Sequence, residues 1–363
     1  MTVGQSRHSR RALMRAAGIS AAAGAFAAYG HGSVSARGRA PAAGNFPEVP
    51  EWNFVFVNHV TTNPFWVPTI YGIEDAAALL GLPEVQWTGS EISDIGEMVN
   101  AFEAAIAGGA NGIAVSLVDL EAFNEPVQEA LDAGIPVVSY NADAPNARMS
   151  YTGQDLYGSG FAMGERIVEI VGEGKVGLFI ATPGQLNIQP RIDGALDAIA
   201  ESGAAIEAQD IATGPDLSEE LANIEAWYLG NTDAVGMFAV DAGSTQGVAQ
   251  VVQSQNARDQ GLLGAGGYDL LPTTIELLAE GVIDFTIDQQ PYLQGFLPVI
   301  YLYLRNLSGG AVLPPETNTG LVFLDQAGAQ LFLGTSSRFE GDSDEQKVVE
   351  AAGAPAAPAT TAG

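Results

Sequence analysis

The chain has 363 residues, 47% hydrophobic and only 16% charged, which is typical of a globular protein with room for two domains. Cysteine is absent, which excludes disulfides, thiolate metal sites, cysteine nucleophiles and lipid attachment to a cysteine. The formal net charge of −29 repels phosphate backbones and anionic lipid, so we expect no nucleic-acid partner.

The first forty residues contain no Asp or Glu and have the features of an export signal. The run Ser9–Arg15 (SRRALMR) resembles the twin-arginine motif, and a weakly hydrophobic stretch of Ala and Gly follows it. Val34-Ser35-Ala36 fits the small-residue rule for signal cleavage, which predicts a signal peptide at residues 1–36 and a leader at 37–50. We therefore expect export to the periplasm by the twin-arginine route, without a stable membrane anchor.

From Trp52 onward, β-branched runs alternate with helical patterns, which favours parallel sheets covered by helices. The first half is predicted to have strands at 54–57, 85–87, 112–116 and 135–140, with helices at 64–80, 93–107 and 120–133. The second half is predicted to have strands at 175–180, 205–208, 234–238, 262–266 and 282–287, with helices near 189–201, 218–228, 243–253 and 272–279. Pro291 opens a further predicted helix. We predict two doubly wound parallel-sheet domains, followed by a disordered acidic and Ala/Pro/Thr-rich tail at 334–363.

Polar and aromatic side chains recur after the predicted strands, at the sheet edge where ligands of open α/β sheets bind. Carboxylates, amides and a guanidinium suit the hydroxyls of a neutral ligand, and an aromatic face suits the C–H side of a sugar ring. Each cluster alone is weak, because Asn63 or Asp241 would also serve as helix caps, and Phe65 or Trp66 as core residues. The candidate binding residues are His59, Asn63, Phe65, Trp66, Asn141, Asp143, Gln154, Arg191, Asp241, Tyr268, Asp269 and Gln289.

Seven short motifs, in a fixed order between residues 52 and 325, resemble the class I periplasmic sugar-binding proteins of ABC importers. The motifs are NPFW (63–66), IPVVSYNAD (135–143), YTGQD (151–155), RIDG (191–194), MFAVDAG (237–243), GGYD (266–269) and TIDQQP (286–291). The resemblance, to the ribose-, xylose- and galactose-binding type, implies a periplasmic-binding-protein-like I fold with a hinge that the chain crosses three times. It implies an N-terminal lobe of residues 51–152 plus 290–317, and a C-terminal lobe of 153–289 plus 318–333.

The same resemblance implies a function and a set of ligand contacts. The expected function is capture of a monosaccharide or related polyol in the interdomain cleft and its delivery to an ABC permease, by a monomer without catalysis or cofactor. The spaced Asp, Asn and Gln of the galactose type's calcium loop are missing, so no metal is expected. Tyr268 is expected to stack on the ligand, and Gln289 to lie on the third crossing. In the ribose-binding pattern, the sugar-facing positions match His59, Asn63, Phe65, Trp66, Asn141, Arg191, Asp241, Asp269 and Gln289.

The chain also departs from the ribose-binding pattern at three places. Asn141 replaces the family's aspartate, Ala142 replaces an arginine, and the loop before Ser218 lacks the expected aromatic residue. These departures argue against a pentose such as ribose. Other small solutes, such as a cyclic polyol, an autoinducer or a nucleoside, are the main alternative ligands.

A nicotinamide-dependent oxidoreductase is the alternative from a different class. Gly158–Gly164 has the Gly-x-Gly-x-x-x-Gly spacing of some nicotinamide-binding turns, but no acidic residue follows at the usual place. Val176 after Lys175 excludes a Walker A loop, and a serine–histidine triad lacks a nucleophile elbow. A sugar-responsive repressor would need a basic helix-turn-helix module, whereas this chain is strongly acidic. The sequence therefore predicts a binding protein and not an enzyme.

Overall fold

The computed structural model describes residues 49–333, 337–339 and 344–345. The predicted signal peptide, most of the leader and most of the predicted tail lie outside the described residues. None of the helices within the described ranges is long and apolar enough to cross a membrane.

The first half of the chain builds a parallel sheet with helices on both faces. Along strand β1, Phe54 and Phe56 face one core, and Val55 and Val57 face the other, as the two-residue period of a strand requires. The elements are β1 (Phe54–Asn58), α1 (Val67–Leu80), β2 (Gln86–Gly89), α2 (Ile95–Ala107), β3 (Gly112–Val115), α3 (Asn124–Asp132), β4 (Val137–Tyr140) and β5 (Tyr151–Gly153). A short 3₁₀ turn, Pro64–Trp66, precedes α1.

The second half builds a second sheet of the same kind. Helices α4 and α5 lie against one face, and α6, α7 and α8 against the other. The elements are α4 (Leu156–Val171), β6 (Glu173–Ile180), α5 (Gln189–Ser202), β7 (Ala205–Ala212), α6 (Leu217–Gly230), β8 (Gly236–Ala239), α7 (Ala242–Ser254), β9 (Gly264–Tyr268), α8 (Pro272–Ala279) and β10 (Phe285–Asp288).

The last part of the chain contributes to both sheets. Its elements are α9 (Pro291–Leu307), β11 (Glu316–Asn318), β12 (Val322–Leu324) and α10 (Gln326–Leu333). Helix α9 packs on the first sheet through Val299, Leu302 and Tyr303, while α10 packs on the second through Ala329. The strand orders are β11-β5-β4-β3-β1-β2 and β12-β10-β9-β8-β6-β7, and β12 alone is antiparallel to its neighbour. We call each sheet with its helices the N-terminal and the C-terminal lobe, respectively.

Three connections join the lobes. They follow β5, β10 and β11, at residues 154–155, 289–290 and 319–321. The Gln154 side chain donates to the carbonyl of Gly320 (3.0 Å), and the Thr319 hydroxyl donates to that of Gln289 (2.7 Å). The three connections are therefore hydrogen-bonded to one another.

The structure differs from the predicted elements in two places that affect the site. Residues 156–171 form helix α4, which contains the Gly158–Gly164 run, so these glycines are not a nucleotide-binding turn. A Cβ at Gly160 would lie 2.2 Å from the Arg191 carbonyl oxygen, which shows that this glycine allows α5 to approach α4 closely. The predicted strand at 262–266 lies two residues later, at 264–268, which places Tyr268 inside the sheet.

Candidate functional site

A cavity lies between the carboxyl ends of the two parallel sheets, the place where open α/β sheets bind their ligands. Nine of the twelve predicted residues line it: His59, Asn63, Phe65, Trp66, Asn141, Arg191, Asp241, Asp269 and Gln289.

The other three predicted residues do not line the cavity. Asp143 forms an ion pair with Arg148 and accepts a hydrogen bond from Ser139 (2.7 Å), so its carboxylate is already occupied. Gln154 and Tyr268 are buried behind Arg191 and contact its guanidinium. These two are therefore placed to position Arg191, and the ring of Tyr268, which was predicted to stack on a ligand, lies against this arginine.

Arg191 is the basic side chain of the cavity and is held rigidly. Its guanidinium donates to the Val240 carbonyl (2.8 Å) and to the Gln154 side chain (3.1 Å), and it lies 4.1 Å from the centre of the Tyr268 ring. The Tyr268 hydroxyl in turn donates to Ser159 (3.1 Å). Only 1% of Arg191 is exposed, and its Nε has no hydrogen-bond partner in the described part of the chain.

A chain of side-chain amides connects the two lobes across the floor of the cavity. Asn141, after β4, donates to Gln294 (3.1 Å) and to Gln289 (3.4 Å). Gln289 donates to the Asp269 carboxylate (2.7 Å). Burial raises the pKa of Asp269 to about 7, although the Arg191 charge and the Gln289 bond act in the opposite direction.

Two of these residues have a left-handed backbone. The φ angles are 61° at Asn141 and 72° at Asp269, a region that Asn and Asp tolerate better than most residues. Each residue directly follows a strand, β4 or β9, so the left-handed turn ends the strand at the edge of the cavity. Such non-glycine conformations are frequent at ligand sites, where the surrounding packing maintains them.

His59 takes part in one of several contacts that close the cavity. Its Nδ1 lies 3.2 Å from the Ser116 hydroxyl, and its Nε2 lies 3.2 Å from the Asn187 amide nitrogen of the opposite lobe. The amide donates to Nε2, so Nδ1 carries the proton and donates to Ser116. Burial lowers the pKa of His59 to about 4, and the ring is neutral at pH 7.

Two further hydrogen bonds cross the cleft near His59. The Gln185 side chain donates to Ser93 (2.6 Å), and the Leu186 backbone N–H donates to the Val118 carbonyl (2.9 Å). The structure therefore describes a conformation in which the two lobes are in contact.

The aromatic wall of the cavity belongs to the N-terminal lobe. The Asn63 side chain accepts from the Phe65 N–H (2.9 Å) and caps the 3₁₀ turn, so it is both a cap and a cavity residue. Phe65 packs edge-to-face on Trp66, with ring centres 4.6 Å apart, and Trp66 is 2% exposed against Tyr140 and Trp87. Phe65, which is half-buried, is the more accessible ring of the pair.

Asp241 caps helix α7 and also faces the cavity. Its carboxylate accepts from the N–H groups of Ser244 (2.9 Å) and Ala181 (2.8 Å). Burial nevertheless raises the pKa of Asp241, with these N–H groups acting against the shift. The buried carboxyl group of Glu220, on α6, also lines the cavity near Asp241.

Several lining residues were not predicted. Glu220 lies inside a helix, so a search restricted to strand ends does not find it. Ser93, Gln185 and Asn187 lie in loops that meet only through contacts between the lobes, and no local sequence pattern marks them.

The buried polar atoms of this cavity are incompletely hydrogen-bonded. Asn141 Oδ1, Asn187 Oδ1, Arg191 Nε and Glu220 Oε2 are buried and have no partner among the described residues. Buried polar groups are normally paired, and leaving one unpaired costs about 1–3 kcal/mol. The four residues that carry these atoms all line the cavity.

The fold and the cavity together define a two-lobed α/β binding protein. The chain belongs to the periplasmic binding protein family, since the family described as "Periplasmic binding protein domain" matches residues 54–309. It is 50% identical over 319 residues to the xylose/arabinose-binding protein XylF of Sulfolobus acidocaldarius, covering 84% of this chain and 78% of that protein. These findings confirm the predicted family.

Solved structures agree with this assignment. The glucose-galactose binding protein GanP of Geobacillus stearothermophilus has a TM-score of 0.70 and 26% identity, covering 77% of this chain and 99% of that one. An ABC transporter solute-binding protein of Burkholderia graminis C4D1M, in complex with D-arabinose, has a TM-score of 0.71 and 23% identity, covering 78% of this chain and 98% of that one. The predicted α/β class with two parallel-dominated sheets is confirmed.

Proposed function

We propose that this protein captures a monosaccharide in the cavity between its lobes and delivers it to an ABC import permease. The observation that carries the proposal is that four residues lining the cavity, Asn141, Asn187, Arg191 and Glu220, have buried polar atoms without a hydrogen-bond partner among the described residues. A neutral polyhydroxylated ligand supplies both donors and acceptors to such groups without introducing a charge. Phe65 and Trp66 supply an apolar wall for the C–H side of the ring.

Two relatives support the sugar as the ligand class. XylF, at 50% identity, is a xylose/arabinose-binding protein, and GanP is a glucose-galactose binding protein. XylF, the relative at 50% identity, is named for two pentoses, xylose and arabinose. We give this similarity more weight than the three sequence differences that argued against a pentose. We therefore place pentoses first among the ligands of this protein.

Capture couples the ligand to the conformation of the lobes. Ligand contacts from both lobes favour the closed form over an open one, and the three hydrogen-bonded connections act as the hinge. The lobe boundaries that we propose are those expected from the sequence, 51–152 plus 290–317 and 153–289 plus 318–333, except that Gly153 and Asn318, the last residues of β5 and β11, stay in the N-terminal lobe. The closed form then presents a two-lobed surface to the permease. The protein acts as a monomer outside the cytoplasmic membrane, reached through the signal peptide at residues 1–36.

The test is a binding screen with purified protein. Thermal shift against pentoses, hexoses, polyols, nucleosides and nicotinamide cofactors is followed by calorimetry on each compound that stabilises the protein. We expect one or a few monosaccharides, with xylose and arabinose first, to raise the Tm and to bind with a stoichiometry of one. Stabilisation by a nucleoside, a cyclic polyol or a nicotinamide cofactor, with no response to any sugar, would replace this function by the corresponding alternative.

A further inference from the structure

Glu220 is a buried acid on the first turns of helix α6 that the strand-end pattern does not explain. It is 2% exposed, it lines the cavity, and its Oε2 has no hydrogen-bond partner in the described part of the chain. Many acidic side chains cap a helix or form an ion pair at the surface. Glu220 does neither among the described residues, since Asp216 is the cap of α6 and Glu220 is buried. The Glu220 carboxyl group is hydrogen-bonded to Asp241 within the protein, and a carboxyl group at a ligand cavity can form a second hydrogen bond, to the ligand.

The position of Glu220 is fixed by two glycines of the neighbouring helix. A Cβ at Gly243 would lie 1.7 Å from Glu220 Oε2, and a Cβ at Gly247 would lie 2.7 Å from Ile224 Cδ1. These glycines are one helical turn apart on α7, so α6 approaches α7 closely enough for Glu220 to reach the cavity wall. The spacing Gly243-x-x-x-Gly247 is the signal in the sequence that corresponds to this contact.

The protonation of Glu220 follows from its surroundings. Burial, and then the charge of Asp241 and a side-chain hydrogen bond to it, raise the pKa of Glu220 well above its usual range. The group is therefore a neutral acid at pH 7, beside an Asp241 that accepts two backbone N–H bonds. Such a pair adds one negative charge to the cavity and not two, which suits a neutral ligand next to Arg191.

We propose that Glu220 is a specificity-determining residue of this cavity, which hydrogen-bonds through its carboxyl group to one particular hydroxyl of the sugar. This inference rests on the proposed sugar-binding function and adds to it a contact from helix α6. The inferred ligand is a neutral sugar that keeps the hydroxyl group contacted by Glu220. Sugar acids and sugar phosphates are disfavoured, because their charge would meet the negative charge shared by Asp241 and Glu220 and, above about pH 7, that of Asp269.

The test combines variants of the protein with variants of the ligand. The probe is D-xylose with its series of monodeoxy derivatives, or the same series for whichever monosaccharide binds the wild type most tightly. We expect Glu220→Ala to weaken binding of the parent sugar ~10- to 100-fold, and Glu220→Gln, which keeps a donor and an acceptor, to weaken it less. The deoxy sugar that lacks the contacted hydroxyl should bind Glu220→Ala and wild type with nearly equal affinity, because neither complex has the bond.

Two further variants separate this contact from a structural role. Gly243→Ala, which leaves Glu220 in the chain but fills its space, should reduce affinity in the same hydroxyl-dependent way. Ala222→Ser changes an exposed residue on the same helix and should leave every affinity as in the wild type.

The outcomes distinguish this inference from the proposed function. If the wild type binds no monosaccharide, the proposed function fails and the inference fails with it. If the wild type binds a sugar but Glu220→Ala and Glu220→Gln lose the same factor for every deoxy derivative, Glu220 only supports the fold and the inference is wrong. Should Glu220→Ala fail to fold, the comparison of Glu220→Gln and Gly243→Ala across the deoxy series decides in the same way.

Discussion

Asp269 is the acceptor at the end of the amide chain that joins the two lobes. It accepts from Gln289 and lines the cavity at a left-handed backbone position. We expect Asp269→Ala to weaken binding of the preferred sugar by about 2–4 kcal/mol, because it removes acceptors and leaves the Gln289 donor unpaired. Isothermal titration calorimetry at pH 7.5 measures the loss.

Asp143 provides the matched control for that substitution. It was predicted as a ligand contact, but it is paired with Arg148 outside the cavity lining. Asp143→Ala should leave the affinity for sugar unchanged. Equal losses in the two variants would contradict the separation that we draw between these two carboxylates.

The titration of Asp269 gives a second prediction, on stability. Its pKa is about 7 in the folded protein and about 4 when unfolded, so the folded state binds more protons between these values. The stability contribution is full below about pH 4 and is lost as the pH rises to about 7. Asp269→Asn does not titrate, so its free energy of unfolding relative to the wild type should rise over this range.

Urea denaturation of both proteins at several pH values from about 4 to about 8 measures this difference. Asp259→Asn, at an exposed site, serves as the control and should run parallel to the wild type. A constant difference between Asp269→Asn and the wild type would show that Asp269 titrates normally.

Among single residues, the polar ones that follow predicted strands were the best predictors of the cavity lining, because parallel strands bring their carboxyl ends to one edge of the sheet. His59, Asn141, Asp269 and Gln289 directly follow strands and line the cavity. Glu220 was missed because its helix reaches the cavity through a close approach that depends on tertiary packing. Whether each lining residue touches the ligand stays a prediction.

Helices α4 and α5 are in close contact, and glycine makes that contact possible. A Cβ at Gly164 would lie 2.5 Å from the Ala195 carbonyl oxygen and 2.8 Å from the Ala198 Cβ. We expect Gly164→Ala to lower the free energy of unfolding by roughly 1–3 kcal/mol, because the helices must separate or strain to admit the methyl group. Equilibrium denaturation with urea measures this change.

Gly230 is the comparison for a helical glycine without such a contact. It is the last residue of α6, and a Cβ there meets nothing within 4 Å. Gly230→Ala should be neutral or stabilising by up to ~1 kcal/mol, through helix propensity and reduced freedom of the unfolded chain. A Gly164→Ala variant as stable as Gly230→Ala would mean that the two helices are not packed as described.

At the scale of elements, long periodic segments were predictable and glycine-rich ones were not. The helix predicted at 189–201 is observed as Gln189–Ser202, whereas α4 was not predicted, because its glycines resemble a turn until their partner helix is known. Strand β9 (Gly264–Tyr268) is also glycine-rich and has no alternation of apolar side chains to fix its register. Its observed boundary places Tyr268 inside the sheet, with its ring against the Arg191 guanidinium.

The whole molecule has a large excess of acidic groups. The sequence has 43 acidic residues against 14 Lys and Arg, so repulsion between carboxylates destabilises the compact state. Raising NaCl from about 0.01 M to about 1 M shortens the Debye length from about 30 Å to about 3 Å. We expect the Tm to rise with salt, by roughly 2–4 °C for each kcal/mol of repulsion removed.

Calorimetric scans in NaCl and in choline chloride separate screening from specific cation binding. Screening predicts the same rise in both salts at equal ionic strength. A Tm that does not change with either salt would show that the acidic groups are too far apart to interact. A rise in NaCl alone would instead indicate sodium sites.

Arg191 is held before any ligand arrives, by a carbonyl, an amide and an aromatic ring. A free arginine side chain loses up to ~2 kcal/mol of rotational freedom when it is immobilised. Here folding has already imposed that loss, so the guanidinium does not have to be ordered again each time a sugar is taken up and released. The Arg191 guanidinium therefore keeps the same orientation through repeated cycles of binding and release, while the lobes move relative to each other.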